Sequence, residues 1–163
     1  MASAASKKSV LFICLGNICR SPMAEAVFLD ILKKSGQSDN WIVDSAAVID
    51  YHVGKGPEKR TLAVLNNHGI TNYKHKVRQI TSDDLSRFDF IFGMDDENIS
   101  DIRSLIRHAS GEAKAKIELL GSYDPEGEKI ITDPYYFKGT EMFEKCYEQC
   151  VRACQGFLDV QNK

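Results

Sequence analysis

The apolar positions of this chain fall into short blocks whose period changes along the sequence. Residues 10–14 form a continuous apolar run, as expected of a strand covered on both faces. After it, Ala24, Val27, Phe28, Ile31 and Leu32 recur at helical spacing. Pro22 suits the first turn of that helix and Gly36 its end. Residues 41–47 read as a second strand and 57–68 as a helix closed by Gly69. A third strand is predicted over 88–94, followed by a helix carrying Ile99, Ile102 and Ile106, and a fourth strand over 116–121. The final helix runs from about Glu141 to the end, with Phe143, Cys146, Tyr147, Cys150, Val151, Cys154, Phe157 and Leu158 on one stripe. Strands alternating with helices predict an α/β fold with a parallel sheet.

Between the fourth strand and the last helix, residues 121–140 form a turn-rich segment containing Asp124-Pro125 and Asp133-Pro134. A stretch of this length without regular structure is often functional. The chain of 163 residues fits one domain, with no repeat or linker. Residues 1–8 are small or polar and read as a flexible N-terminal extension.

Charge narrows the function. The net charge is -2, so no global field draws the chain to nucleic acid or to an anionic membrane. Any anion site must be local. The apolar runs fall short of a membrane span of about 20 residues or a signal-peptide core, so no stable membrane association is expected. Five cysteines at irregular spacing do not suggest a disulfide framework. A reduced, cytoplasmic compartment is the expectation. Cys146, Cys150 and Cys154 lie four apart on the core stripe of the last helix. Metal ligation there would displace core packing, and no metal or cofactor is expected.

The chemistry is concentrated in Cys14-Leu15-Gly16-Asn17-Ile18-Cys19-Arg20-Ser21-Pro22, between a buried strand and a helix start. Successive backbone N–H groups and a helix N-terminus make an anion site at such a junction. Gly16 and Asn17 both tolerate positive φ and would let the loop curl with its amides inward. A thiol at the centre of that ring is favoured as thiolate. Arg20 supplies a fork that matches two phosphate oxygens. A lone cysteine at a strand end is usually core, and a Gly-rich strand-to-helix turn could be a nucleotide loop. However, the loop lacks the Lys-Ser/Thr pair that a Walker loop requires. Cys-x5-Arg-Ser-Pro at this junction favours phosphate chemistry.

Residues 10–25, VLFICLGNICRSPMAE, closely resemble the phosphate-binding loop of the low-molecular-weight protein tyrosine phosphatases. The likeness continues through Asp44-Ser45-Ala46-Ala47, Asn67-His68-Gly69-Ile70, Gly93-Met94-Asp95, Glu118-Leu119-Leu120-Gly121 and Asp133-Pro134-Tyr135-Tyr136, and covers residues 9–158. The resemblance implies a four-stranded parallel sheet with helices on both faces and a single phosphatase domain over 1–163. It also implies a metal-free, two-step hydrolysis. In it Cys14 attacks phosphorus and forms a phosphocysteine. Arg20 and the amides of residues 15–20, Leu15, Gly16, Asn17, Ile18 and Cys19 among them, stabilise the equatorial oxygens. Asp133 protonates the leaving phenolate and then helps activate water.

By the same resemblance Ser21 hydrogen-bonds the thiolate, and Asn17, Ser45 and His75 tether the loop. Asp95 orients Arg20, although it could equally cap the helix that follows. Tyr51, with Asp50 and His52 beside it, resembles the aromatic of the variable loop, and Tyr135 and Tyr136 wall the entrance. Cys19 matches the residue that protects the nucleophile by a reversible disulfide. Implied substrates are phosphotyrosine proteins and small aryl phosphates, the latter as an acid phosphatase activity. The expected state is a monomer or weak self-association. A thioredoxin-coupled arsenate reductase uses a similar loop but needs two further cysteines after the third helix, and residues 76–100 contain none. A binding module that lost catalysis would not be expected to keep Cys14, Arg20 and Asp133 together.

Overall fold

A computed structural model describes residues 7–108 and 113–163. Four strands form one parallel sheet: β1 (Lys8–Cys14), β2 (Trp41–Ala47), β3 (Phe90–Gly93) and β4 (Lys116–Leu119), in the order β2-β1-β3-β4. The α/β expectation and the four-stranded parallel sheet are both observed. Among the described residues five α-helices accompany it: α1 (Arg20–Lys34), α2 (Lys59–Asn67), α3 (Ser82–Arg87), α4 (Asp96–Arg107) and α5 (Glu141–Gln161).

Side chains alternate across a strand, and the central strand β1 splits the core accordingly. Val10, Phe12 and Cys14 pack with residues of α1, α2 and α5 on one face. Leu11 and Ile13 pack with Leu85, Phe88 and Ile102 on the other, the side of α3 and α4. The larger core centres on Phe157, whose ring lies 4.8 Å from that of Phe92, 4.9 Å from Phe90 and 5.6 Å from Trp41, all edge-on. Such edge-to-face pairs add to what burial alone contributes.

Element edges move from the positions the pattern predicts, for local reasons. β3 covers 90–93 rather than 88–94, because Phe88 closes α3 and its N–H bonds the Asp84 carbonyl. β4 stops at Leu119 and a 3-10 turn (Leu120–Tyr123) follows. A Cβ on Gly121 would sit 2.2 Å from the Lys129 carbonyl oxygen, so the chain there must carry glycine. α2 starts at Lys59 rather than 57, with Glu58 extended as its N-cap. α3 is absent from the pattern reading, although Thr81 and Asp84 form a capping box. On α5 the stripe is as expected, except that Tyr147 and Val151 are half-buried and Gln149 and Ala153 are buried. The extension expected over 1–8 falls, for residues 1–6, outside the described residues, and Lys8 already belongs to β1.

The register brings Cys14 level with Ala47, and Ile13 level with Gly93. The loops that leave β1, β2 and β3 therefore emerge together at the carboxyl edge of the sheet. The chain passes from β1 to β2 on one side and returns to β3 on the other, so this edge is a topological switch point. Ligands of open parallel sheets bind in that crevice.

Candidate active site

The loop from Cys14 to Arg20 closes on the Cys14 sulfur. The Asn17 N–H donates to Sγ at 3.3 Å and the Ser21 N–H at 3.4 Å. The Ser21 hydroxyl lies 3.0 Å away. Positive φ is needed once in this loop, at Asn17 (φ 59), and not at Gly16. Of the two residues expected to tolerate it, Asn17 alone adopts it. Gly16 has a different reason to lack a side chain: its Cβ would stand 3.1 Å from the His52 ring.

Beneath the loop, a hydrogen-bond network fixes proton directions. Asn17 Nδ2 donates to Ser21 Oγ at 2.7 Å and to Ser45 Oγ at 3.0 Å. Its Oδ1 can then only accept, so His75 Nε2, 2.6 Å away, carries hydrogen. Ser21 Oγ accepts from Asn17, which leaves its single hydrogen directed at Cys14 Sγ. Ser45 donates onward to Glu25 Oε1 at 2.7 Å, and the Tyr73 hydroxyl donates to the same oxygen at 2.6 Å. Burial pushes the Glu25 carboxyl up to about 7, against these two hydrogen bonds, which favour its charged form. Burial likewise pushes His75 down, partly offset by Asp44. The expected tethers Asn17, Ser45 and His75 all meet here. Glu25 and Tyr73 were not singled out in the sequence, where a glutamate inside a helix and a tyrosine in a loop carry no local signal.

Arg20 opens α1 and is 2 % exposed. Its Nη1 donates to Asp95 Oδ2 at 2.7 Å and to the Ile131 carbonyl at 3.0 Å, and Nη2 lies 3.6 Å from Asp133 Oδ2. Burial alone would lower its pKa, but the charges of Cys14, Asp95 and Asp133 raise it, so the guanidinium stays charged. Arg20 Nε is buried and donates to no group among the described residues. A buried donor without an acceptor costs free energy, and an oxyanion above Cys14 would supply one. Asp95 performs both tasks left open by its position. Its Oδ1 caps α4 at the Asn98 N–H, 2.8 Å, while Oδ2 holds Arg20.

Cys14 lies at the floor of a cleft of about 330 Å³. Leu15, Gly16, Ile18 and Cys19 form one side of it and Ile49, Tyr51 and His52 another. Asp133, Tyr135 and Tyr136 complete the ring. Asp50, expected at the rim, does not line the cleft; its carbonyl accepts the Val53 N–H and turns the loop. Ile49 takes its place. The rim loop is fastened to the phosphate loop by Val48 N–H to the Cys14 carbonyl (3.0 Å) and Ile49 N–H to the Leu15 carbonyl (3.1 Å). Among the described residues, no helix is long and apolar enough to cross a membrane. Glu25, Asp44 and His75 are the described side chains grouped closely enough to hold a metal ion, but Glu25 and His75 are already bonded to the loop tethers.

Comparison with known proteins agrees with this geometry. A family model described as low molecular weight phosphotyrosine protein phosphatase matches residues 9–163. The chain is 51% identical over 152 residues to a low molecular weight phosphotyrosine protein phosphatase of Sus scrofa, covering 93% of this chain and 94% of the relative. The solved structure of Primo-1 superposes with a TM-score of 0.86 at 45% identity, over 96% of this chain and 99% of that one. A Drosophila protein described as an arginine phosphatase superposes with a TM-score of 0.88 at 38% identity, over 94% of this chain and 98% of its own.

Proposed function

The chain belongs to the low molecular weight phosphotyrosine protein phosphatases, and from that premise we propose that Cys14, Arg20 and Asp133 carry its reaction. It is a phosphatase that hydrolyses phosphotyrosine and aryl phosphate monoesters through a phosphocysteine. The observation that carries the residue assignment is the convergence at the cleft floor. Three donors aim at Cys14 Sγ, Arg20 stands beside it, and the Asp133 carboxylate stands above.

In the first step the Cys14 thiolate attacks phosphorus and the P–O bond to the phenol breaks. Asp133 gives its proton to the departing oxygen, because a phenolate is a poor leaving group. Arg20 Nε and Nη2, with the loop amides, bind the equatorial oxygens where charge is spread in the transition state. In the second step Asp133 takes a proton from water, which attacks phosphorus and releases Cys14 as thiolate, aided by the Ser21 hydroxyl. The first step requires Asp133 to carry that proton, and small aryl phosphates are substrates of the same reaction as an acid phosphatase activity.

Residues 9–163 act as one phosphatase domain. Phosphotyrosine proteins are the partners, the compartment is cytoplasmic, and the chain is monomeric or weakly self-associating. Ile18, Ile49, Tyr51, Tyr135 and Tyr136 present apolar and aromatic surface to a phenyl ring, and Asp133 is the carboxylate lining the cleft. A site for phosphoarginine would need an acceptor for the guanidinium as well. The test is phosphate release from matched peptides carrying phosphotyrosine, phosphoserine or phosphoarginine. Phosphotyrosine should be turned over at least about 10²-fold faster, the scale at which a well-fitted pocket discriminates. Faster release from phosphoarginine would reassign the substrate.

Cys19 is the redox partner of Cys14. Peroxide converts the Cys14 thiolate to a sulfenic acid and releases hydroxide. The Cys19 thiol then displaces the sulfenic oxygen as water and forms a disulfide. Cys19 is buried on the same loop and lines the same cleft. Burial, with the charges of Cys14 and Asp133, pushes its thiol well up, so it waits protonated rather than competing as nucleophile. After brief peroxide treatment the native enzyme should recover most activity with a thiol reductant. Cys19→Ser should recover much less, and peptide mapping should find the Cys14 to Cys19 bridge in the native enzyme alone. Equal recovery of the two would remove Cys19 from this role.

A further inference from the structure

The first turn of α2 touches both loops of the reaction. On one side the Glu58 N–H donates to the Ile18 carbonyl at 2.8 Å, and Thr61 Oγ1 to the Cys19 carbonyl at 3.4 Å. On the other side Arg60 reaches the segment that follows Asp133. Its Nη1 donates to the Phe137 carbonyl at 2.6 Å and the Gly139 carbonyl at 3.3 Å, and its Nη2 to the Tyr135 carbonyl at 3.1 Å. The guanidinium is itself held in place. Nε bonds Glu58 Oε1 at 2.9 Å, and Cζ lies 4.3 Å from the centroid of the Phe143 ring at the start of α5.

The segment it grips has little else to hold it. Over residues 132–139 the described backbone supplies one hydrogen bond, from the Phe137 N–H to the Pro134 carbonyl. Residues 135–139 are exposed. Arg60 thus supplies three bonds where the backbone supplies one. The link to the reacting carboxyl is a single residue. Tyr135 accepts from Arg60 through its carbonyl and donates through its N–H to Asp133 Oδ1 at 3.1 Å. With Oδ1 occupied, Oδ2 is the oxygen turned toward Arg20 in the cleft.

We propose that Arg60 is a positioning residue for proton transfer: it fastens the 135–139 segment to the turn that also holds the phosphate loop, and so fixes Asp133 over Cys14. This rests on Asp133 being the general acid. Misplacing a reacting group by about 1 Å can cost about 10²-fold in rate, while binding of phosphate by Arg20 and the amides is untouched.

The test is kcat/KM for a series of aryl phosphates, from nitrophenyl to phenyl, in the native enzyme, Arg60→Ala, Asp133→Asn and the double variant. Arg60→Ala should lose roughly 10–100-fold on phenyl phosphate and only a few-fold on the nitrophenyl ester, with inhibition by inorganic phosphate unchanged. In the Asp133→Asn background the same substitution should have almost no further effect. Arg60→Lys keeps the charge but cannot span three carbonyls, and should show the same selective loss at smaller size. It serves as the reading variant if the alanine protein does not fold. A loss uniform across leaving groups, no loss at all, or full additivity with Asp133→Asn would overturn the proposal. If Asp133→Asn itself shows no leaving-group dependence, the general-acid assignment fails first and takes this inference with it. If Asp133→Asn shows that dependence and Arg60→Ala does not, only the role of Arg60 fails.

Discussion

Replacing Cys14 by serine should leave a folded protein that no longer turns over aryl phosphates. The loss should be on the order of 10⁶-fold, the scale on which covalent hydrolases lose turnover when the nucleophile is removed. Oxygen fits where sulfur was. The Asn17 and Ser21 N–H groups and the Ser21 hydroxyl that surround Sγ can serve a hydroxyl equally. A serine hydroxyl keeps its proton at neutral pH, however, and no described base stands against Sγ to remove it. Thermal unfolding and inorganic phosphate binding should therefore match the native protein within error while turnover disappears. Substantial turnover in the serine protein would exclude Cys14 as nucleophile.

Replacing Asp133 by asparagine should give the second largest effect. Asparagine keeps an oxygen for the Tyr135 N–H at the Oδ1 position, so the loop stays in place. It cannot pass a proton to the leaving oxygen. Phenyl phosphate hydrolysis should fall by about 10²–10⁴, and nitrophenyl phosphate, whose phenolate leaves more readily, by much less. Parallel measurement of kcat/KM on the two esters decides the matter. An equal loss on both would give Asp133 a purely structural role.

Much of this site was legible because it is local in sequence. The continuous run at 10–14, the glycine and asparagine that follow, and Arg20-Ser21-Pro22 lie within one strand-to-helix junction, so spacing alone assembled an anion cradle. The parallel sheet followed from the alternation of apolar runs and helical periods. Finer features depended on what other segments bring. Which of Gly16 and Asn17 takes positive φ is decided by the turn as built, and it is Asn17. The six-residue α3 is too short for periodicity to register, although its capping box was readable.

The supporting residues were hidden for the same reason. Glu25 on α1 meets Ser45 on β2 and Tyr73 in the segment between α2 and α3 only because the fold brings the three together. Gln149, inside a helix of apolar stripe, is buried with its amide satisfied by the Ile130 carbonyl at 3.0 Å. The neighbouring Ile131 carbonyl holds Arg20. Arg60 carries no local signal in the sequence, because its three acceptors lie 75 to 79 residues away. Asp50, by contrast, was expected from its neighbour Tyr51, but its carbonyl closes a turn with the Val53 N–H and it is not among the residues that line the cleft.

The central assignment is that phosphate passes through the Cys14 sulfur, and rapid quenching tests it most directly. Native enzyme would be mixed with a phosphotyrosine peptide, denatured within milliseconds, digested and mapped by mass spectrometry. Phosphate should be found on the peptide containing Cys14, bonded to sulfur, during turnover and absent once substrate is consumed. Turnover with Cys14 unmodified at every quench time, or phosphate carried by a different residue, would contradict the mechanism.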